Sequence, residues 1–139
     1  MRHDDPVTSV PPIPGGARVL GVGIDVVAID RFAVALGRSR LLGDRLFAPD
    51  ERVGPAGLPR SAASLAARFA VKEAVAKALG VPRGMRWHDC RVVSEHSGRP
   101  ILYVVGTVRA AAERAGVADW LVSMSHDAGI AAAVVIALG

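Results

Sequence analysis

Two acidic residues stand at positions where a carboxylate is unusual. Asp25 closes the apolar segment 21–25, whose glycines would let another group approach the backbone closely. Glu73 lies four residues after Phe69 and eight after Leu65, so it falls on or beside the apolar stripe of a helix. Carboxylates on separate elements can together hold one Mg²⁺, which commonly takes one or two protein carboxylates and completes its shell with water and phosphate oxygens. The pattern indicates magnesium-dependent chemistry at phosphate.

Each of these residues also has a purely structural interpretation. Asp25 could cap the helix that follows it. Glu73 could form an i,i+4 ion pair with Lys77, worth a few tenths of a kcal/mol, with Arg68 and Lys72 as solvated neighbours. If the metal interpretation holds, Lys77 would face the same phosphates as the ion.

A dinucleotide-binding fingerprint is excluded, because Val26 stands where the third glycine of GxGxxG is required. Ser125 and His126 close a strand-like segment in which they face opposite sides. A single histidine at a strand end can be structural or can accept a proton, and no GxSxG elbow supports an acyl-transfer triad.

Basic residues are concentrated in the region after Asp25, at Arg31, Arg38, Arg40 and Arg45. The formal net charge is +4, and Lys72 and Lys77 are the only lysines among 17 basic residues. Arginine suits bidentate recognition of carboxylate or phosphate, although a GC-rich genome would produce the same bias. The run is either a solvated face or a dock for an acidic partner.

The secondary-structure elements that position these residues are predicted from apolar periodicity and from capping and turn residues. The clearest is a helix over residues 61–79, which Ser61 caps and which Gly80 and Pro82 end. Its expected buried stripe is formed by Leu65, Phe69, Ala76 and Leu79.

The other expected elements are arranged around that helix. A buried strand covers residues 18–25, and a helix from residue 30 breaks near residue 37 and resumes through residue 47, before a loop over 48–60. A first strand pair, at 90–95 and 101–105, flanks a turn that contains Gly98. A helix at 107–115 follows and ends at Gly116. A second strand pair covers residues 120–126 and 130–138. This order, strand, helices, then paired antiparallel strands, predicts a single α+β domain.

Composition narrows the class of protein. The 139 residues are 51% apolar and 22% charged, which fits one globular domain. We divide the chain into a disordered Pro/Gly-rich leader over residues 1–17 and a domain over 18–139. Cys90 is the only cysteine, so neither an internal disulfide nor a cysteine zinc site is expected. We expect a cytoplasmic protein, because neither a signal peptide nor a membrane span is recognisable.

Two motifs together resemble the holo-acyl-carrier-protein synthases, the small class of 4′-phosphopantetheinyl transferases. The first is GVGID at 21–25 followed by IDR at 29–31, and the second is RFAVKEAVAKALG at 68–80. GRP at 98–100 is similar to that family's hairpin, and SMSHD at 123–127 is similar to its final segment. The resemblance spans about residues 19–136, and the combination of the two motifs is specific. One departure is the sequence GVPRG at 80–84, where the family often has Gly-Thr-Gly.

The resemblance implies the phosphopantetheinyl-transferase fold and an activity. Members transfer 4′-phosphopantetheine from coenzyme A to a serine of apo acyl carrier protein, require Mg²⁺ and release adenosine 3′,5′-bisphosphate. By motif position, Asp25 and Glu73 would be metal ligands and Lys77 a basic residue near the phosphates. Glu73, a metal-bound water and His126 are all candidates for accepting the serine proton. The implied cofactor-binding residues are Asp25, Arg68, Glu73, Lys77, Ser125 and His126.

The resemblance also implies partners. Arg31, Arg38 and Arg45 match basic positions on the helices that receive the acidic carrier protein. Members are typically homotrimers with active sites at subunit interfaces, and no nucleic-acid or membrane partner is expected. Two alternatives stay open at this point: a magnesium-dependent hydrolase of a nucleotide diphosphate, and a basic nucleic-acid-binding module.

Overall fold

The computed structural model has the expected α+β order, one strand, then helices, then paired antiparallel strands, and the structure describes residues 15–95 and 97–139. The leader predicted for residues 1–17 lies almost wholly outside the described residues, as does position 96 of the predicted turn. The elements are β1 (Val19–Ala28), α1 (Ile29–Arg38), α2 (Arg40–Leu46), α3 (Ala62–Ala78), β2 (Cys90–Ser94), β3 (Pro100–Val104), α4 (Gly106–Ala115), β4 (Asp119–Asp127) and β5 (Ile130–Leu138), with 3₁₀ turns at Pro49–Glu51 and Trp87–Asp89.

The main sheet joins the two ends of the domain. Its strand order is β1-β5-β4, all antiparallel, with Val22 opposite Ile136 and Asp25 opposite Ala133. The β4–β5 hairpin turns through Ala128 and Gly129, whose φ angles of 50° and 78° are those of a type I′ turn. The β2–β3 hairpin forms a separate two-stranded sheet.

Helix α3 packs directly on β1, and two glycines make this close packing possible. A methyl group at Gly23 would overlap the carbonyl oxygen of Ala74, and one at Gly21 would overlap that of Ala78. The sequence predicted a close approach to these glycines, and the approaching group is the backbone of α3. The contact sets the distance between β1, which carries Asp25, and the helix that carries Glu73.

The expected ends of α3 are confirmed, and its expected buried stripe is confirmed at Ala76, whereas Leu65, Phe69 and Leu79 are only partly buried. The Ser61 hydroxyl accepts a hydrogen bond from the Ser64 amide at 3.1 Å, and Gly80 adopts a φ of 79° after the helix. The most deeply buried apolar side chains are instead Ala66, Ala67, Ala70, Val71, Ala74 and Val75.

The interpretation of Arg68 and Lys72 as solvated neighbours is wrong. Their exposed fractions are 3% and 0%, because α3 contacts the main sheet on one side and β2 with the segment before it on another. A helix enclosed by several elements is buried over most of its circumference, so a single apolar stripe underestimates its buried face.

The outer face of the main sheet, on the side away from α3, is apolar and exposed. Val22, Ile24 and Val26 are 58%, 59% and 59% exposed, and Val134 on the neighbouring strand is also exposed. We call these four residues the exposed sheet face. Within the described part of the chain, no helix combines the length and apolar character needed to cross a membrane.

Candidate active site

Asp25 and Lys77 meet across the β1–α3 contact. The Lys77 ammonium donates to Oδ1 of Asp25 at 3.0 Å and to the backbone carbonyl of Ile24 at 2.9 Å. β1 continues three residues beyond Asp25, and Ala28, at the N-cap of α1, makes no side-chain capping bond. The interpretation of Asp25 as a helix cap is therefore wrong. Lys77 forms its ion pair with Asp25 rather than with Glu73.

Glu73 is close enough to Asp25 to respond to its charge. Partial burial raises the pKa of the Glu73 carboxyl, the negative charge of Asp25 raises it further, and Lys77 opposes both. We call Asp25, Glu73 and Lys77 the carboxylate cluster. A cation placed between the two carboxylates would relieve their repulsion.

The donor set of this cluster fits Mg²⁺. Among the described residues there is no group of three or more His, Cys, Asp or Glu side chains that could hold a metal ion. Magnesium does not need such a group, because one or two carboxylates with water and substrate phosphate complete its octahedral shell. Asp25 and Glu73 supply two carboxylates from two rigid elements.

Two arginines converge on a separate cavity of about 330 Å³. The Arg68 guanidinium donates to the Ser94 hydroxyl at 2.6 Å and to the Ser64 hydroxyl at 3.0 Å. Burial and, to a smaller extent, the nearby charge of Arg60 lower the pKa of Arg68 to about 10, with Glu51 opposing both effects. The Nε atoms of Arg60 and Arg68 are buried and make no hydrogen bond with the described residues. The cavity is therefore lined by two positively charged side chains that could hold an anion.

Ser125 and His126 line this same cavity, which we call the arginine pocket. Its lining consists of Pro55, Arg60, Ser64, Ala67, Arg68, Ser94, Glu95, Gly98, Met124, Ser125 and His126. No member of the carboxylate cluster belongs to that lining, and β5 lies between the strands that carry Asp25 and His126. The structure thus brings the predicted site residues together as two groups rather than one.

The predicted docking arginines lie on the surface. Arg31 and Arg38 are exposed on α1, and Arg45 is exposed on α2. None of them forms an ion pair with another described residue. We call these three residues the arginine face.

Sequence reasoning missed a buried ion pair between Glu51 and Lys72. Oε1 of Glu51 lies 2.9 Å from the Lys72 ammonium, and both side chains are fully buried. One local signal could have indicated the burial of Lys72, since it lies three residues after Phe69 and three before Val75, a spacing that places it on an apolar side of the helix. No local signal distinguishes Glu51 in its proline- and glycine-rich loop.

Comparison with known proteins gives a consistent family. The profile of the 4′-phosphopantetheinyl transferase superfamily matches residues 21–135. A holo-[acyl-carrier-protein] synthase from Salinispora arenicola is 58% identical over 119 residues, which cover 86% of this chain and 98% of that protein. One from Streptomyces coelicolor is 58% identical over 121 residues, covering 87% and 98%.

Solved structures agree with the sequence matches. The Helicobacter pylori holo-[acyl-carrier-protein] synthase in complex with coenzyme A superposes with a TM-score of 0.72 and 29% identity, covering 84% of this chain and 98% of that one. The acyl carrier protein synthase of Mycobacterium tuberculosis superposes with a TM-score of 0.63 and 33% identity, covering 86% and 97%. The expected fold is confirmed, and the chain belongs to the 4′-phosphopantetheinyl transferase superfamily, among its holo-[acyl-carrier-protein] synthases.

Proposed function

We propose that this chain transfers 4′-phosphopantetheine from coenzyme A to a serine of an apo acyl carrier protein and releases adenosine 3′,5′-bisphosphate. The observation that carries the proposal is the carboxylate cluster, in which Asp25 and Glu73 from the two family motifs interact and Lys77 adds a cation. Relatives that are 58% identical over most of their length are holo-[acyl-carrier-protein] synthases, which supports the same reaction here.

Asp25 and Glu73 are the residues that would hold Mg²⁺. When bound, the ion supplies positive charge to the phosphoryl oxygens of the diphosphate. Lys77 adds a fixed positive charge beside Asp25, where it can stabilise the departing phosphate.

The reaction forms a bond between the serine oxygen and the pantetheine-side phosphorus, and it breaks the diphosphate bond. The serine proton must pass to an acceptor as this happens. Glu73, which lies beside the proposed metal position, is one candidate for that acceptor. His126 and a water molecule are the other candidates. Glu73 belongs to the carboxylate cluster, whereas His126 lines the arginine pocket.

The arginine pocket is our candidate for an anionic part of coenzyme A. Arg68, Ser125 and His126 line it, and the buried Nε atoms of Arg60 and Arg68 make no hydrogen bond with the described residues. A phosphate group can accept several charge-assisted hydrogen bonds from such a site. The structure of the Helicobacter pylori relative in complex with coenzyme A supports coenzyme A as the substrate.

We propose that the active enzyme is a homotrimer in which each site draws on two subunits. Val22, Ile24 and Val26 form an exposed apolar face, and faces of this kind mark association surfaces. The separation of the carboxylate cluster from the arginine pocket supports a shared site, with one group contributed by each of two neighbouring subunits. A cytoplasmic location and a role in fatty-acid biosynthesis remain predictions from the family resemblance.

We propose that the arginine face receives the carrier protein. Arg31, Arg38 and Arg45 are exposed on consecutive helices, and the carrier proteins of this family are acidic. Opposite charges accelerate such encounters and make them sensitive to salt.

Mass spectrometry separates the proposed reaction from its alternatives. Incubation with coenzyme A, Mg²⁺ and an apo carrier protein should add 4′-phosphopantetheine to the carrier. Release of free phosphopantetheine without the carrier would indicate a hydrolase instead. Binding to duplex or single-stranded nucleic acid in a gel shift, without modification of the carrier, would favour the nucleic-acid-binding module.

The same assay tests the metal ligands. We expect Asp25→Asn and Glu73→Gln each to lower the rate by about 10³-fold or more, because loss of a ligand removes several kcal/mol of charge stabilisation. Unchanged circular dichroism would show that the fold is intact. Full activity of either variant at the wild-type Mg²⁺ concentration would refute the metal assignment.

A further inference from the structure

The buried ion pair of Glu51 and Lys72 has a complete set of partners. The Lys72 ammonium donates to Oε1 of Glu51 at 2.9 Å, to the carbonyl of Trp87 at 3.0 Å and to the carbonyl of Cys90 at 2.6 Å. These bonds use all three donors of the ammonium group. A fully buried lysine is rare, and this one is fully compensated.

Glu51 extends the network to two further backbone groups. Its Oε1 accepts from the amide of Ala48 at 2.9 Å, and its Oε2 accepts from the amide of Val92 at 2.9 Å. The pair therefore ties α3 to the segment directly after α2, to the 3₁₀ turn at Trp87–Asp89 and to β2. Every bond in the network has a defined direction and length.

Apolar contacts also hold α1 and α2 against α3, but they constrain the relative positions of these helices less than the hydrogen bonds of the ion pair do. The ring of Phe32 stacks on that of Phe69 at 5.3 Å and meets Phe47 edge-on at 6.3 Å. Such contacts are largely non-directional and allow small shifts. Helix α2 has seven residues and no side-chain cap at its start, so its placement depends on tertiary contacts.

We infer that Glu51 and Lys72 are positioning residues that hold the arginine face in a fixed relation to the carboxylate cluster. Lys72 is the immediate neighbour of Glu73 on α3, and Glu51 lies six residues after Arg45. The ion pair between Glu51 and Lys72 therefore fixes the carrier-docking helices relative to Glu73. This role depends on the docking function proposed for the arginine face.

Steady-state kinetics of Glu51→Gln and Lys72→Met test the inference. We expect the KM for the apo carrier protein to rise about tenfold, because a displaced docking surface delivers the serine poorly. The KM for coenzyme A should rise by a smaller factor, since Arg68 keeps its hydrogen bonds to Ser64 and Ser94 even where Glu51→Gln removes the nearby negative charge. Glu51→Gln keeps a neutral acceptor at the centre of the network, and the double variant Glu51→Gln/Lys72→Met, which leaves no unpaired buried charge, is used if a single variant does not fold.

A stability-matched control separates positioning from general loosening. Val108 on α4 is fully buried and lies outside the network, so Val108→Ala should lower Tm without changing either KM. All assays are run well below the Tm of the least stable variant. The inference is overturned if the ion-pair variants lower Tm but leave the carrier KM unchanged, or if both KM values rise equally.

A second control distinguishes this inference from the docking proposal. If Arg31→Glu raises the carrier KM and the ion-pair variants do not, the arginine face docks the carrier but Glu51 and Lys72 do not position it. If Arg31→Glu has no effect on the carrier KM, the docking proposal fails and the inference fails with it.

Discussion

Lys77 and Asp25 are 52 positions apart in the chain, yet the lysine ammonium lies 3.0 Å from Oδ1 of the aspartate. The same ammonium also binds the carbonyl of Ile24, on β1, which is an edge strand of the main sheet. One side chain thereby joins α3 to β1 at the carboxylate cluster. Lys77 is positioned by both a charge and a backbone group, so its orientation is well defined.

Replacing Lys77 tests whether that charge contributes to the reaction. We expect Lys77→Met to lower kcat/KM by about 10²-fold, because a preorganised charge near the departing phosphate is lost. Lys77→Arg should recover part of the rate, since it retains the positive charge. Both are measured with the mass-spectrometric transfer assay, and a Lys77→Met enzyme with wild-type kcat/KM would contradict the assigned role.

Charge reversal at Arg31 tests the arginine face. We expect Arg31→Glu to raise the KM for the carrier protein about tenfold with little change in the KM for coenzyme A, because the carrier is acidic. The effect should shrink as salt is added. Arg114→Glu makes the same charge change at an exposed site on α4 and should have no comparable effect. Equal increases in both KM values for Arg31→Glu would contradict the docking role.

The same change from glycine to alanine should have opposite effects at two positions. Gly23→Ala would force a methyl group into the carbonyl of Ala74, and backbone cannot rotate away, so we expect a loss of about 3 kcal/mol or more. Gly37 lies in α1 with open space beside it, and Gly37→Ala should stabilise the fold by up to about 1 kcal/mol. Urea denaturation measures both. A destabilised Gly37→Ala or a neutral Gly23→Ala would contradict the packing described.

Asp89 should make the stability of the fold depend on acidity. Its Oδ2 accepts from the Thr107 hydroxyl at 2.7 Å and from the Thr107 amide at 2.8 Å, near the start of α4. These two bonds lower the pKa of Asp89 below the ordinary value of 3.8. The carboxylate therefore contributes stability that is fully present above pH 3.8 and is lost as the pH falls through the lowered pKa of the folded state.

Asp89→Asn measures this contribution. At pH 7 we expect a loss of about 1 kcal/mol, the usual net contribution of one intramolecular hydrogen bond, because asparagine keeps an oxygen acceptor. The difference from wild type should narrow as the pH falls below 3.8 through the lowered pKa of the native aspartate, which then becomes protonated. Thr107→Val removes one of the two bonds and should reproduce part of the loss. A difference that is constant between pH 7 and pH 2.5 would contradict the assigned cause.

Local signals in the sequence were sufficient to predict the helices and strands, but they were insufficient to predict which side chains become buried. Ser61 and Gly80 marked the ends of α3 because capping depends on residues within one turn of the helix end. The glycine at position 129 marked the β4–β5 turn for a similarly local reason. Lys72 was misjudged because its burial depends on Glu51, which is 21 positions away.

The candidate site was likewise predictable from the sequence only in part. The motifs indicated that Asp25 and Glu73 act together, and the structure brings them into electrostatic contact. The motifs could not show that Ser125 and His126 line a different cavity from that pair, because this depends on the order of strands in the sheet.

The sequence by itself determined the order of the elements and the ends of α3, and it indicated the residues that we propose for phosphate chemistry, since each of these is encoded within a short stretch of chain. Only the tertiary structure decided that β1 pairs with β5, that α3 is enclosed by several elements, and that Glu51 meets Lys72. The physical reason is that pairing and burial are settled by the free energy of the whole domain, in which residues far apart in the chain become neighbours.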